Sequence, residues 1–253
     1  MRLKKVSSGV LLFFSFLAIG QDSLVLSQID CSLKLKQIKS HLNKQYVVLS
    51  QGDSLYILDS LFRISGQSGI SVAKANLASG QALQYVVLDD SQNLLYLDQY
   101  LNTNYSIPFP VEQYSFMQIL PSTHNNIWLY DEIAQRLVLY DPFYKQELKS
   151  VPLNHNEEYH TLTGDNGHVF LISDNGLTHY DGQYVSQEKG VYKTATLYKG
   201  KVYYIQNNKV LIQSGGKRKE FNSSVFIQYI YPLSSEKSLL IDTEGQLFLA
   251  SFF

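Results

Sequence analysis

The chain has 253 residues, 45% hydrophobic and 17% charged, with a formal net charge of −1. That near-neutral balance argues against a nucleic-acid binder, which would show a clustered basic face. The single cysteine, Cys31, excludes an intrachain disulfide and any multi-cysteine metal site.

The first twenty residues read as an export leader. Arg2, Lys4 and Lys5 form a basic start, and Val10 to Ile19 is an apolar run too short to span a bilayer. Small residues at Ala18 and Gly20 predict cleavage before Gln21. The expected organisation is therefore a signal peptide over 1–20 and one domain over 21–253. Removing the leader takes three basic and no acidic residues, leaving 18 Lys and Arg against 22 Asp and Glu. No later segment approaches eighteen consecutive apolar residues, so no transmembrane segment is expected in the mature chain. The apolar core ends about ten residues before Cys31, and Asp30 precedes it, which does not fit a lipoprotein signal. Cys31 is expected to be a small buried hydrophobe.

Strand-like runs then follow one another. Ser23 to Ser27 comes first, and Gln37 to Lys44 is the best helical candidate in a chain otherwise lacking apolar spacing at three and four. Gln45-Tyr46-Val47-Val48-Leu49 recurs letter for letter as Gln84-Tyr85-Val86-Val87-Leu88. Ser54 to Asp59 matches Asn93 to Asp98 at the same 39-residue offset. A period near 40 with paired strands is the mark of propeller blades. Further pairs are Ile127–Asp131 with Leu137–Asp141, Val169–Ser173 with Leu177–Asp181, Val202–Ile205 with Val210–Ile212, and Leu239–Asp242 with Leu247–Ala250. Short polar turns such as Asp174-Asn175-Gly176 and Asn207-Asn208 supply the positive φ angles that tight hairpins need. The third turn, Glu132 to Arg136, is longer and lacks glycine.

Flanking strands bring each unit to four. In the third, Tyr114 to Leu120 precedes the pair and Gln146 to Val151 follows it. The sixth unit lacks a fourth strand because the sequence stops at Phe253, and Ser23 to Ser27 is expected to supply it. The fold class is therefore all-β, a β-propeller of six four-stranded blades closed by an N-terminal strand. A β-solenoid fits a 40-residue period less well, and a large sandwich does not explain the repeat.

Several residues attract attention as chemistry. Asp59, Asp98, Asp141 and Asp181 recur at the end of the third strand in four units. A carboxylate there accepts hydrogen bonds from its own turn, which favours structure over a metal or substrate ring. His155 and His160 flank Glu157 and Glu158, while His168 and His179 lie on facing strands. None of these has the spacing of a metal motif, and a helical His-Glu-x-x-His is absent. Nucleophile-elbow and phosphate-loop sequences are absent as well. The basic stretch Ser214 to Lys219 sits between strands and reads as a solvated hairpin. Trp128 lies within a strand and is expected to pack in the core. Pro108-Phe109-Pro110 is an extended connection in which an exposed Phe109 would be a contact point for a partner.

The strand–turn–strand-Asp repeat resembles bacterial six-bladed propellers of the broad NHL/TolB-like kind. The resemblance covers nearly the whole mature chain and implies a fold; it carries over no functional residue. The first functional expectation is an exported, non-catalytic protein-binding or scaffold module, periplasmic, envelope-associated or secreted, with no cofactor and no bound metal. It predicts an exposed aromatic or apolar patch on one face. The alternatives are a hydrolase or lyase acting on a sugar or ester at the central channel, and a carbohydrate-binding propeller using exposed tyrosines.

Overall fold

The computed structural model describes residues 23–253 except 41–44, 75–84, 90, 92, 111–115, 155–156, 166 and 215. The expected leader over 1–20 lies outside the described residues, as do His155 and Gln84, the first residue of the repeat's second copy.

Strand β1 (Leu24–Ile29) opens the described chain. Blade one follows with β2 (Leu35–Ser40), β3 (Tyr46–Ser50), β4 (Ser54–Leu58) and the first part of β5 (Ile64–Lys74). Strand β5 then runs on, and its last residues pair with β6 (Tyr85–Asp89), so it is both the outer strand of blade one and the inner strand of blade two. Strands β7 (Asn93–Leu97) and β8 (Thr103–Pro108) complete blade two within one seven-stranded sheet. Blade three is β9 (Phe116–Pro121), β10 (Ile127–Asp131), β11 (Arg136–Asp141) and β12 (Gln146–Pro152). Blade four is β13 (Tyr159–Asp165), β14 (His168–Ser173), β15 (Gly176–Tyr180) and β16 (Val185–Lys189). Blade five is β17 (Tyr192–Tyr198), β18 (Lys201–Gln206), β19 (Lys209–Ser214) and β20 (Lys217–Asn222). Blade six is β21 (Ile227–Pro232), β22 (Lys237–Asp242) and β23 (Leu247–Phe252), and β1 pairs antiparallel with β23, placing Leu26 opposite Ala250.

The molecule is thus a propeller of six antiparallel blades whose inner strands neighbour one another in a ring. Its core is six apolar clusters, one in each gap between successive blades. Strand alternation sends Val47 and Leu49 into the gap between blades one and two, and Val48 into the gap between blades six and one. Both faces of each blade are buried, so the second and third strands read as continuous apolar runs rather than alternating ones. The gap between blades six and one is pinned further by Gly245, whose carbonyl accepts from Leu35 N at 2.8 Å. Gly245 has φ +78°, and a Cβ there would lie 2.9 Å from Leu35 N, so the close approach requires glycine.

Two expectations are corrected. The helical candidate from Gln37 is a strand as far as Ser40, because pairing with β3 buries Ile38 between blades six and one; its remainder, 41–44, lies outside the described residues. Cys31 is half-buried at the edge of the same cluster rather than enclosed, and burial, with a smaller push from Asp30, raises its thiol pKa.

Candidate functional site

The repeated aspartates are turn anchors. Asp59 Oδ1 accepts from Leu61 N at 2.8 Å and Arg63 N at 2.9 Å. Asp98 Oδ1 accepts from Tyr100 N at 2.7 Å and Asn102 N at 2.8 Å. Asp141 Oδ1 accepts from Phe143 N at 2.9 Å and Tyr144 N at 3.1 Å, and Asp181 Oδ1 from Gln183 N at 2.9 Å and Tyr184 N at 2.7 Å. Backbone hydrogen bonds hold the carboxyls of Asp59 and Asp181 below the usual range, with the Arg63 side chain adding to the effect on Asp59. Asp242 does the same at a different turn, with Glu244 N at 2.9 Å and Gln246 N at 2.8 Å.

Each of the four turns anchored by Asp59, Asp98, Asp141 and Asp181 projects an apolar side chain into solvent. At least one amide bonded to each of these four aspartates belongs to Leu61, Tyr100, Phe143, Tyr144 or Tyr184, and all five are exposed; Tyr144 is 79% exposed. In an up-and-down four-stranded blade, the first and third turns lie at one end and the second at the other. All these side chains therefore stand on one face of the disc, at blades one to four. Phe253 follows the third strand of blade six at the same face, held by two 3.0 Å backbone bonds with Ser23, and is also exposed. Among the described residues, the opposite face exposes Ile133, Val191 and Phe226. The turn-face side chains are buttressed. Phe143 lies 5.5 Å from Tyr105 and 5.7 Å from Tyr96 across the gap between blades two and three, and Lys149 of blade three donates to Gly182 O at 2.9 Å beside Tyr184.

A second feature is a cleft of about 300 Å³ between blades four and five, lined by Phe170, His179, Ser186, Glu188, Tyr204 and Gln213 among others. His179 stacks on Phe170 with centroids 4.4 Å apart, and its Nε2 is 2.9 Å from His168 Nδ1. Burial first, then the neighbouring His168, hold the His179 imidazole below the usual histidine range. Arg218 contacts two of the lining residues, 2.7 Å from Glu188 and stacked over Tyr204. Tyr204 donates to Gln213 at 2.8 Å.

The sequence candidates fall as follows. His168 and His179 meet, but on the second and third strands of blade four. His160 lies on an inner strand and comes within 3.6 Å of Asp174, whose carboxylate is 98% exposed. Glu157 accepts from Ser173 at 2.6 Å. Among the described residues no three His, Cys, Asp or Glu side chains gather as a metal site. Trp128 is core, edge-on to Tyr180 at 5.4 Å. Phe109 is not an exposed contact point: it is only 5% exposed and packs edge-on against Tyr140 at 5.8 Å, because the connection folds it between blades two and three. The exposed turn residues were missed. Their signal is an apolar residue two or three positions after each repeated aspartate.

Six closed four-stranded blades define a six-bladed β-propeller. No family model matches the chain, and no curated protein matches it. Solved structures share the fold. A streptogramin B lyase superposes with a TM-score of 0.65 at 9% identity, over 91% of this chain and 98% of that one. Virginiamycin B lyase from Staphylococcus aureus gives 0.59 at 8% identity, over 92% and 100%. BamB from Moraxella catarrhalis gives 0.51 at 10% identity, over 85% and 84%. At such identities the likeness is one of architecture. Among the described residues, no helix is long and apolar enough to cross a membrane.

Proposed function

We propose that the protein is an exported, non-catalytic binding module of the bacterial cell envelope, holding a protein partner on the face that carries its third-to-fourth-strand turns. One observation carries this reading: the exposed rings of Tyr100, Phe143, Tyr144, Tyr184 and Phe253 stand on that face, each on a turn or chain end fixed by hydrogen bonds. Large amphipathic side chains on a rigid frame bind at low entropic cost, and Tyr is enriched among interface hot spots. The basic start and short apolar run before residue 21 support export. The long, solvent-exposed His160–Asp174 contact, and the placement of His168 and His179 away from the inner strands, support a non-catalytic role.

The test is capture from envelope extracts with the wild-type protein and with a variant combining Tyr100→Ser, Tyr144→Ser and Tyr184→Ser. A protein retained by the first and lost by the second supports the reading; identical capture profiles contradict it. Selective retention on a glycan array that the same variant abolishes would instead make the rings a carbohydrate platform.

A second reading, an enzyme acting on a sugar or ester, is favoured by the cleft between blades four and five. There His179, held toward its neutral form, shares a polar wall with Glu188 and Tyr204. Turnover of glycoside or ester substrates that disappears in His179→Gln would establish it.

A further inference from the structure

Among the described residues the outer strand of every blade has one open edge, and open edges invite pairing unless something blunts them. Five of the six are blunted. Strand β5 carries Gly66 and Gly69 and two register shifts, and β8 has a register shift and ends in Pro108. Strand β12 carries Glu147 and Lys149, β16 Glu188 and Lys189, and β20 the run Lys217-Arg218-Lys219-Glu220. Strand β1, Leu-Val-Leu-Ser-Gln-Ile, has no charge, no proline and no glycine, and its six-residue register with β23 is unbroken.

We propose that β1 pairs edge to edge with β1 of a second copy, joining two propellers through one continuous sheet. The backbone fixes the geometry. Ser23 and Phe253 exchange both of their backbone hydrogen bonds at 3.0 Å. By antiparallel alternation Val25, Ser27 and Ile29 also bond toward β23, while Leu24, Leu26 and Gln28 turn their N–H and C=O groups outward. A twofold axis at Leu26 sets Leu26 against Leu26 of the second copy and Leu24 against Gln28, which completes about six hydrogen bonds. The occupant follows from charge and symmetry. The paired residues Leu24 to Gln28 bring no like charges together when the strand meets itself, whereas self-pairing of β20 would crowd Lys217, Arg218 and Lys219. Val25, 51% exposed on this strand, gains cover in the pair. One strand edge makes a contact at the small end of protein interfaces, so the dimer is a concentration-dependent one.

The experiment is sedimentation equilibrium of the protein across roughly 1 to 500 µM, a range that brackets a micromolar dissociation constant. The mass should rise from monomer toward dimer. Val25→Lys, at an exposed side chain, should hold the protein monomeric with an unchanged circular dichroism spectrum. Gln28→Pro should do the same, because the N–H it removes points away from β23. In a Cys31→Ser background, Leu26→Cys should cross-link with itself under mild oxidation, and Gln28→Cys should not. The proposal is overturned by a monomeric mass throughout, by dimers that survive Val25→Lys and Gln28→Pro, or by a β1 edge that pairs only with a different protein.

Discussion

The two faces of the disc are built from the same kind of strand ends and present different chemistry. On the face of the third-to-fourth-strand turns, aspartates at four blades gather backbone amides and push Leu61, Tyr100, Phe143, Tyr144 and Tyr184 outward. On the opposite face, hairpins such as Asn207-Asn208, both at positive φ, turn back with polar side chains that are spent on the fold. Asn208 accepts from Ile227 N at 3.1 Å and donates to Ser223 O at 3.3 Å. A repeated residue and a functional residue can thus be neighbours without being the same. The aspartate serves the turn, and the turn serves the ring beside it.

The rings carry the largest expected effect. The combined Tyr100→Ser, Tyr144→Ser and Tyr184→Ser variant should weaken a captured partner by about 100-fold, roughly 2.7 kcal/mol, as loss of hot-spot side chains does. Titration calorimetry reads this, and thermal melting should show each exposed substitution within about 0.5 kcal/mol of neutral. Next comes the support beneath the rings. Asp98→Ala leaves the amides of Tyr100 and Asn102 without their acceptor and should cost about 1 to 2 kcal/mol in urea unfolding.

Acid should act in two windows. His179 has a depressed folded pKa, so the unfolded chain binds its proton first and stability falls as pH drops below the ordinary histidine range near 6.5. The turn carboxylates Asp59, Asp98 and Asp181 also have depressed folded values, so their contribution is full above about pH 4 and is lost as pH falls through the folded values. Melting temperature against pH should show both falls, and His179→Gln should remove only the first. The smallest effect belongs to the opposite face. Ile133→Ser, Val191→Ser and Phe226→Ser together should leave partner affinity unchanged.

The blades were legible because each is buried on both sides. Val47-Val48-Leu49 and Val86-Val87-Leu88 fill gaps to left and right, so their composition is constrained at every position and the repeat survives letter for letter. The aspartate anchors were legible for the same reason, as local chemistry repeated with local structure. Long-range packing was not. Phe109 between prolines reads as exposed until blade three closes over it, and Gln37 to Ser40 reads as helix until β3 pairs with it. That β5 serves two blades depends on pairing far along the chain. The histidine pair was seen as two facing residues, but its stacking on Phe170 and its cleft against blade five needed the neighbouring blade.

The most direct test of the binding face is quantitative capture from envelope extract by three proteins in parallel: wild type, the Tyr100, Tyr144 and Tyr184 serine variant, and the Ile133, Val191 and Phe226 serine variant. The proposed face requires a partner held by the first and third and lost by the second. A partner lost by the third and kept by the second would place binding on the opposite face and contradict the account.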